Sequence, residues 1–554
     1  MTLTRTMTRF PWLDSGKLLL DKHRNELKPV WVLAAVFFCV TLAIGWHRFF
    51  TFYSSYDQGI FGQLFWNGIH GRFFQSSLSS GLSGAVVHDG EVPAVFYHRL
   101  GQHFDPIQLL WHPIYALFPH PATLVVFQSA FVTIAGLVLY VLARQYLQPA
   151  HAWMIAASFY GSMTVIGPTL SNYHDLSVIP MFLFTLLLAM EKRWWWLFWL
   201  MAVFTVLARQ DAGITLFGIG LYLILSRRYP WAGAGLCGLG LGYVLLASNV
   251  FMPMFSKDIS QRFMIERFGH FANGTEASSL EILWSIITNP GRLLAHLFAR
   301  PDRNLFYLLG QTLSLCFVPL ISPSAWAMIS TPLAQIFVQG GESRFSISIR
   351  YAITLAPGLF YGAILWWSVH RDRFRSRFRQ IWTGGIILSI LVIVLHNPHR
   401  SLYFVVPDSF QPWVHIPITR QWEHAANLRS VILQVPREAS VAATTYVIPH
   451  MATRRAILRV PFLQYRDDDR EVKSVEYILM DFWQLNQYQI AFREERGYLR
   501  DLLSYTDTWI EQGYGLQAVQ DGVVLLHRGT PTRPELLPVW RELQTTYRAT
   551  LKPD

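Results

Sequence analysis

The side chains of this chain that could do chemistry fall at a few polar positions between apolar runs. They are Asp57 in Tyr56-Asp57-Gln58-Gly59-Ile60-Phe61, His103 and Asp105 in His103-Phe104-Asp105-Pro106, the adjacent pair His174-Asp175, Arg209 and Asp211 around Gln210, and the later arginines Arg344 and Arg350. A carboxylate such as Asp57 can take the proton from an attacking hydroxyl, or coordinate a metal that does so. Neutral imidazole and carboxylate suit a divalent metal, and the candidate ligands are Asp57, His103 and His174; His103 and Asp105 can equally bind a phosphate. A guanidinium presents a fork of donors, so Arg209 can neutralise a phosphate or diphosphate leaving group. Each group also has a plainer reading. Asp57 can be a helix-end or turn aspartate in a solvated loop, His103 and Asp105 a loop closed by Pro106, His174-Asp175 a helix end, and Arg209 with Asp211 a tight turn holding a salt bridge.

The elements that must position these residues are membrane helices. A chain of 554 residues that is 52% hydrophobic and only 15% charged is too apolar for several soluble domains of that total size. The net charge of +11 comes from lysines and arginines in short clusters between apolar runs, which reads as cytoplasmic loops and argues against nucleic acid as a partner. Cys39, Cys237 and Cys316 all lie inside apolar runs and read as packing residues. The first apolar run is not followed by a small-residue cleavage site, so it reads as a signal anchor.

The basic segment 1–28 puts the N-terminus in the cytoplasm. Apolar runs at 30–50, 122–142, 152–170, 176–190, 194–208, 212–225, 231–251, 305–321, 325–338, 351–367 and 381–396 then read as about eleven transmembrane helices, with large external loops at 51–104 and 252–304. The piece 107–118 is too short for a span and reads as a helix in the interface. Several runs fall short of the ~20 residues of a simple span, which places their polar ends at membrane depth beside a water-filled cavity or thins the bilayer. The most basic loop, 370–377, falls on the inside without adjustment. From residue 397 the charges rise and the apolar runs shorten; 440–444, 475–479 and 523–526 read as buried strands and 484–505 as a helix. The fold class is therefore mainly α: a polytopic membrane part over 29–396 and a small extracytoplasmic α/β domain over 397–554. Asn273-Gly274-Thr275 matches a glycosylation sequon, a pattern of little weight.

This topology gathers Asp57, His103, Asp105, His174, Asp175, Arg209 and Asp211, and more distantly Arg344 and Arg350, at the outer ends of spans. Charge near membrane depth is costly, so such a gathering points to function; the alternative is that span ends are polar in any case.

The ordered motifs resemble DUF2079, a family of predicted bacterial membrane proteins. The resemblance is carried by Tyr56 to Phe61, His103 to Pro106 through Leu117-Phe118-Pro119, Tyr173-His174-Asp175, Arg209-Gln210-Asp211-Ala212-Gly213, and Ala439 to Thr444 with Pro449-His450, and it covers about residues 30–530. That family in turn resembles the GT-C glycosyltransferases. The resemblance implies an enzyme of the bacterial cytoplasmic membrane that transfers a sugar from a polyprenyl-phosphate-linked donor to an acceptor hydroxyl at the outer face. Its partners are then membrane lipids, the lipid-linked donor and a glycan or lipid acceptor. Asp57 corresponds to the catalytic external-loop aspartate, and His103, His174, Arg209 and Asp211 to polar positions around the cavity. The sequence departs from the pattern at Gln210, where an acid is expected, at Asp105, where a small polar residue is expected, and at Arg350, where a histidine is expected; these leave a divalent metal cofactor open. A transporter or lipid flippase, or a non-enzymatic membrane scaffold, is the competing class. Related halves, as transporters often have, are absent from the sequence.

Overall fold

The computed structural model describes residues 11–81, 91–272, 277–341 and 345–553. The candidate Arg344 and the sequon at Asn273 lie outside the described residues.

The chain is mainly helical. Its membrane part is built on α1 (Pro11–Phe50), α2 (Tyr56–Ile69), α3 (Thr123–Ala143), α4 (Pro149–Tyr160), α5 (Met163–Leu170), α6 (Ile179–Glu191), α7 (Trp195–Ala208) and α8 (Ala212–Leu225). It continues with α9 (Pro230–Leu246), α10 (Pro323–Val338), α11 (Ala356–Val369) and α12 (Ser376–His396). Among the described residues, five stretches are long and apolar enough to cross a membrane: Leu27–Phe50, Thr123–Ala143, Pro230–Phe255, Arg350–Val369 and Ser376–His396. α7 and α8 are apolar but shorter.

Two expected spans are interrupted, and neighbouring side chains explain how the breaks are tolerated. The run 152–170 divides into α4 and α5 at Gly161-Ser162. A Cβ at Gly161 would lie 2.6 Å from Ile386 Cγ2, so α12 packs against bare backbone there. The Met163 amide, freed from the helix ladder, donates to Ser389 Oγ of α12 at 2.8 Å. The run 305–321 breaks after helix Pro301–Thr312, where Cys316 and Phe317 take left-handed backbone at φ 52 and 61. The Ser314 carbonyl is satisfied by Trp382 Nε1 at 3.0 Å. A broken helix in an apolar setting survives only where such partners exist.

Close approach holds α8 against α9. A Cβ on Gly213 would meet the Gly240 carbonyl oxygen at 2.4 Å, so the two backbones touch where a larger residue could not fit. At the end of the helices away from Asp57, Glu191 clamps four segments. It accepts from Tyr146 and Tyr361 hydroxyls at 2.6 and 2.5 Å and from both terminal nitrogens of Arg228 at 2.6 Å.

Asp57 is a helix-end aspartate. It lies in the first turn of α2, a helix buried along most of its length. The helix dipole favours a carboxylate at that place.

The C-terminal part carries a five-stranded sheet of β1 (Val441–Ala443), β2 (Ile457–Arg459), β3 (Tyr477–Asp481), β4 (Tyr514–Gln520) and β5 (Val523–Arg528), in the order β2-β1-β3-β5-β4. β1 runs parallel to both β2 and β3, and the remaining pairings are antiparallel. The helix read at 484–505 is two, Phe482–Tyr488 and α14 (Arg493–Glu511), while α13 (Ile418–Ile432) precedes the sheet. Val441, Ala443, Ile448 and Met451 share one apolar core with Phe52, Tyr56 and Ile60, so the sheet and the helices are packed as one body at this place.

Candidate functional site

The motif residues around Asp57 each have a structural reason. Tyr56 Oη donates to the Leu78 carbonyl at 2.7 Å. Gln58 donates from Nε2 to the Pro121 carbonyl at 2.9 Å and accepts from the Tyr173 amide, also at 2.9 Å. Gly59 leaves room for Ile448, whose Cγ2 would be 2.5 Å from an added Cβ. Ser55 and Asn172 exchange two hydrogen bonds, at 3.0 and 2.6 Å. Gln128 accepts from the His174 amide at 3.0 Å and donates to the carbonyls of Pro168 and Thr169 at the same distance. The start of α2 and the Asn172–Asp175 segment are thus bonded into one rigid floor.

On that floor Arg350 Nη1 donates to Asp57 Oδ2 at 2.7 Å. The Asp57 side chain is 35% exposed, whereas Asp105 is fully buried and Asp175 is 3% exposed. Burial opposes ionisation of Asp57, but Arg350 overrides it and holds the carboxyl below its ordinary range.

Beside this pair, Arg209 grips Asp211 with two bonds of 2.6 Å, from Nε and from Nη2, and its Nη1 lies 3.7 Å from Asp175. Gln335 adds a bond to Asp211 at 3.0 Å. The Tyr351 ring lies 5.2 Å from the Arg209 guanidinium and 5.6 Å from that of Arg350. Burial and the Arg350 charge lower His174 to about 3, so its ring is neutral at pH 7. His103 is held well below its ordinary value by burial and by Arg99; its Nδ1 is 3.1 Å from Gln210 Nε2. Neither carboxylate oxygen of Asp105 has a hydrogen-bond partner among the described residues. Burial, opposed by Arg99 and reinforced by Asp175, pushes Asp105 up to about 7.

A cavity of about 170 Å³ adjoins these groups, with Gln102, His103, Gln210, Asp211 and Arg267 in its lining. The Gln102 side-chain amide is buried, and neither of its polar atoms has a hydrogen-bond partner among the described residues.

The structure therefore brings Asp57, His103, Asp105, His174, Asp175, Arg209, Asp211 and Arg350 into one polar region; Arg344 lies outside the described residues. Two sequence-level readings change. Arg209 is 2% exposed, doubly bonded to Asp211 and within 3.7 Å of Asp175, so in this structure its fork is engaged by carboxylates. Asp57, His103 and His174 do not form a ligand set: Asp57 is paired with Arg350, His103 with Gln210, and among the described residues no group of three or more His, Cys, Asp or Glu is placed to hold a metal.

Sequence reasoning passed over Arg99, Arg267 and Tyr351. Arg99 is a buried arginine stacked 4.9 Å over Phe61, and its position in the polar loop before His103 was an available signal. Arg267 lies in the helix Lys257–Phe268, and no local feature of that helix sets it apart. Tyr351 is legible only once the Arg209 and Arg350 guanidinium groups are seen near its ring.

No curated protein matches the chain. The model of the family described as "Predicted membrane protein (DUF2079)" matches residues 48–525, from the end of α1 into the last strand, and the chain belongs to that family.

Proposed function

We propose that this protein is an integral membrane glycosyltransferase that moves a sugar from a polyprenyl-phosphate donor to an acceptor hydroxyl at the outer face of the cytoplasmic membrane. The N-terminus is cytoplasmic and the C-terminal part extracytoplasmic. The five long helices and the shorter apolar ones together make about eleven crossings. The observation that carries the reading is the state of Asp57, a carboxylate kept ionised by Arg350 yet partly open.

Asp57 takes the proton of the acceptor hydroxyl as its oxygen attacks the anomeric carbon of the sugar. The bond from that carbon to the phosphate oxygen breaks, and the electron pair leaves with the lipid phosphate. Arg350, at the edge of the pair, and Arg267, in the cavity lining, supply positive charge where this anion develops. Arg209 and Asp211 keep Tyr351 and the adjoining backbone in place.

The test is turnover by the purified full-length chain in proteoliposomes carrying polyprenyl-phosphate hexoses. Release of polyprenyl phosphate that depends on an added acceptor supports the reading; absence of release with every donor and acceptor tried contradicts it.

A further inference from the structure

A second cavity, of about 400 Å³, opens at the carboxyl ends of the parallel strands. Its volume lies in the range of small-molecule sites. Thr444 follows β1, Arg459 ends β2 and Asp481 ends β3, and all three line it. The chain passes from β1 to β2 on one side and then crosses to β3 on the other, so the cavity sits where the strand order reverses. In open α/β sheets that crevice is where ligands bind. Thr444 Oγ1 accepts from the Asp481 amide at 3.1 Å, which closes the floor of the crevice with a side chain.

The lining argues for a neutral ligand rich in hydroxyls. Asp481 is bonded to His424 and Glu495 to Arg400, which leaves Glu494 and Arg459 as the opposed charges of the wall. A phosphate or a cationic peptide would face one of these without gain. Carboxylate, guanidinium and threonine together accept from and donate to vicinal hydroxyls. Phe462, 36% exposed, and Tyr498 offer aromatic faces to the apolar side of a sugar ring. Arg459 also lies 4.7 Å over the Tyr56 ring, one residue from Asp57, so the crevice adjoins the helix that carries the proposed base.

We infer that this crevice is a binding site for a neutral glycan, the acceptor whose hydroxyl is presented toward Asp57. The acceptor role rests on the proposed glycosyl transfer; the glycan site does not.

The experiment uses the full chain in detergent micelles. Titration calorimetry is run with neutral linear oligosaccharides of glucose, mannose, galactose and N-acetylglucosamine, with oligolysine as the comparison peptide. Saturable binding of at least one oligosaccharide, weakened about tenfold by Glu494→Gln and by Phe462→Ala, is expected. Both residues are exposed, so neither variant should perturb folding. Binding of no oligosaccharide, binding indifferent to both variants, or preference for oligolysine would overturn the inference. Asp57→Asn separates the two readings, because it should leave glycan binding unchanged. If the wild-type chain binds glycan at this crevice but transfers no sugar, the transfer reading fails and the binding site stands.

Discussion

Asp57 and Arg350 are 293 residues apart in the chain and meet through a single bond of 2.7 Å between Oδ2 and Nη1. One lies in the first turn of a helix after α1, the other at the head of the long apolar stretch Arg350–Val369. Their pairing holds below its ordinary range a carboxyl whose side chain is 35% exposed.

Removing the guanidinium while keeping the polar side chain, as in Arg350→Gln, should let the Asp57 carboxyl rise toward its ordinary value. The depressed group is active when ionised, so activity falls as pH drops through its pKa. The acid limb of the pH–rate profile is therefore expected to move to higher pH in the variant. An unmoved limb would show that Arg350 does not set the ionisation of the reacting group.

Arg209→Ala should act on stability more than on chemistry. It strips the partner from Asp211 and Asp175, and loss of one member of a buried pair costs about 3–5 kcal/mol. Arg209→Lys should not restore it, because a point charge cannot replace two parallel bonds. Thermal unfolding in detergent reads both variants; a melting temperature unchanged in Arg209→Ala would rule out the clamp.

Asp105 is a carboxyl whose folded value, about 7, stands above its unfolded value of 3.8. The stability associated with it is present below about 4 and is lost as pH rises through about 7. Asp105→Asn is expected to flatten the stability–pH curve in that window. Parallel curves for variant and wild type would contradict the buried neutral acid.

In the C-terminal part, His424 donates to Asp481 at 3.1 Å and Asp521 at 2.8 Å and stacks on Trp483 at 4.1 Å. Burial lowers its affinity for a proton, but the two carboxylates prevail and raise it to about 9. Its stabilisation is complete below the ordinary histidine value of 6.5 and fades as pH rises through about 9. Thermal melts of wild type should thus decline between those values. His424→Ala should lower the melting temperature at pH 6 and flatten that decline; a decline of equal depth in both proteins would refute the assignment.

The sequence made the polar ends of the helices legible because a charge inside an apolar run, such as Arg209 and Asp211, has few tolerated reasons to be there. It also showed that the tail changes to strands, and β5 falls close to the run read at 523–526. Contacts across the chain were not legible. Nothing local to Arg350 announces Asp57, and nothing local to Gln58 or Asn172 announces the floor they bond together. The breaks at Gly161 and Cys316 escaped for a related reason. Apolar composition continues through both, and the partners that allow them, Ser389 and Trp382, come from a distant helix. Residue type shows which groups could ligate a metal, whereas the bonds of Asp57 to Arg350 and of His103 to Gln210 join distant parts of the chain and had no local signal.

The most direct measurement is the amount of transferred sugar made by Asp57→Asn in membranes that hold the variant at wild-type level. Loss of the general base is expected to reduce product formation by roughly 10²–10⁴-fold while glycan binding persists. Undiminished product from that variant would contradict the role of Asp57 and, with it, the proposed reaction.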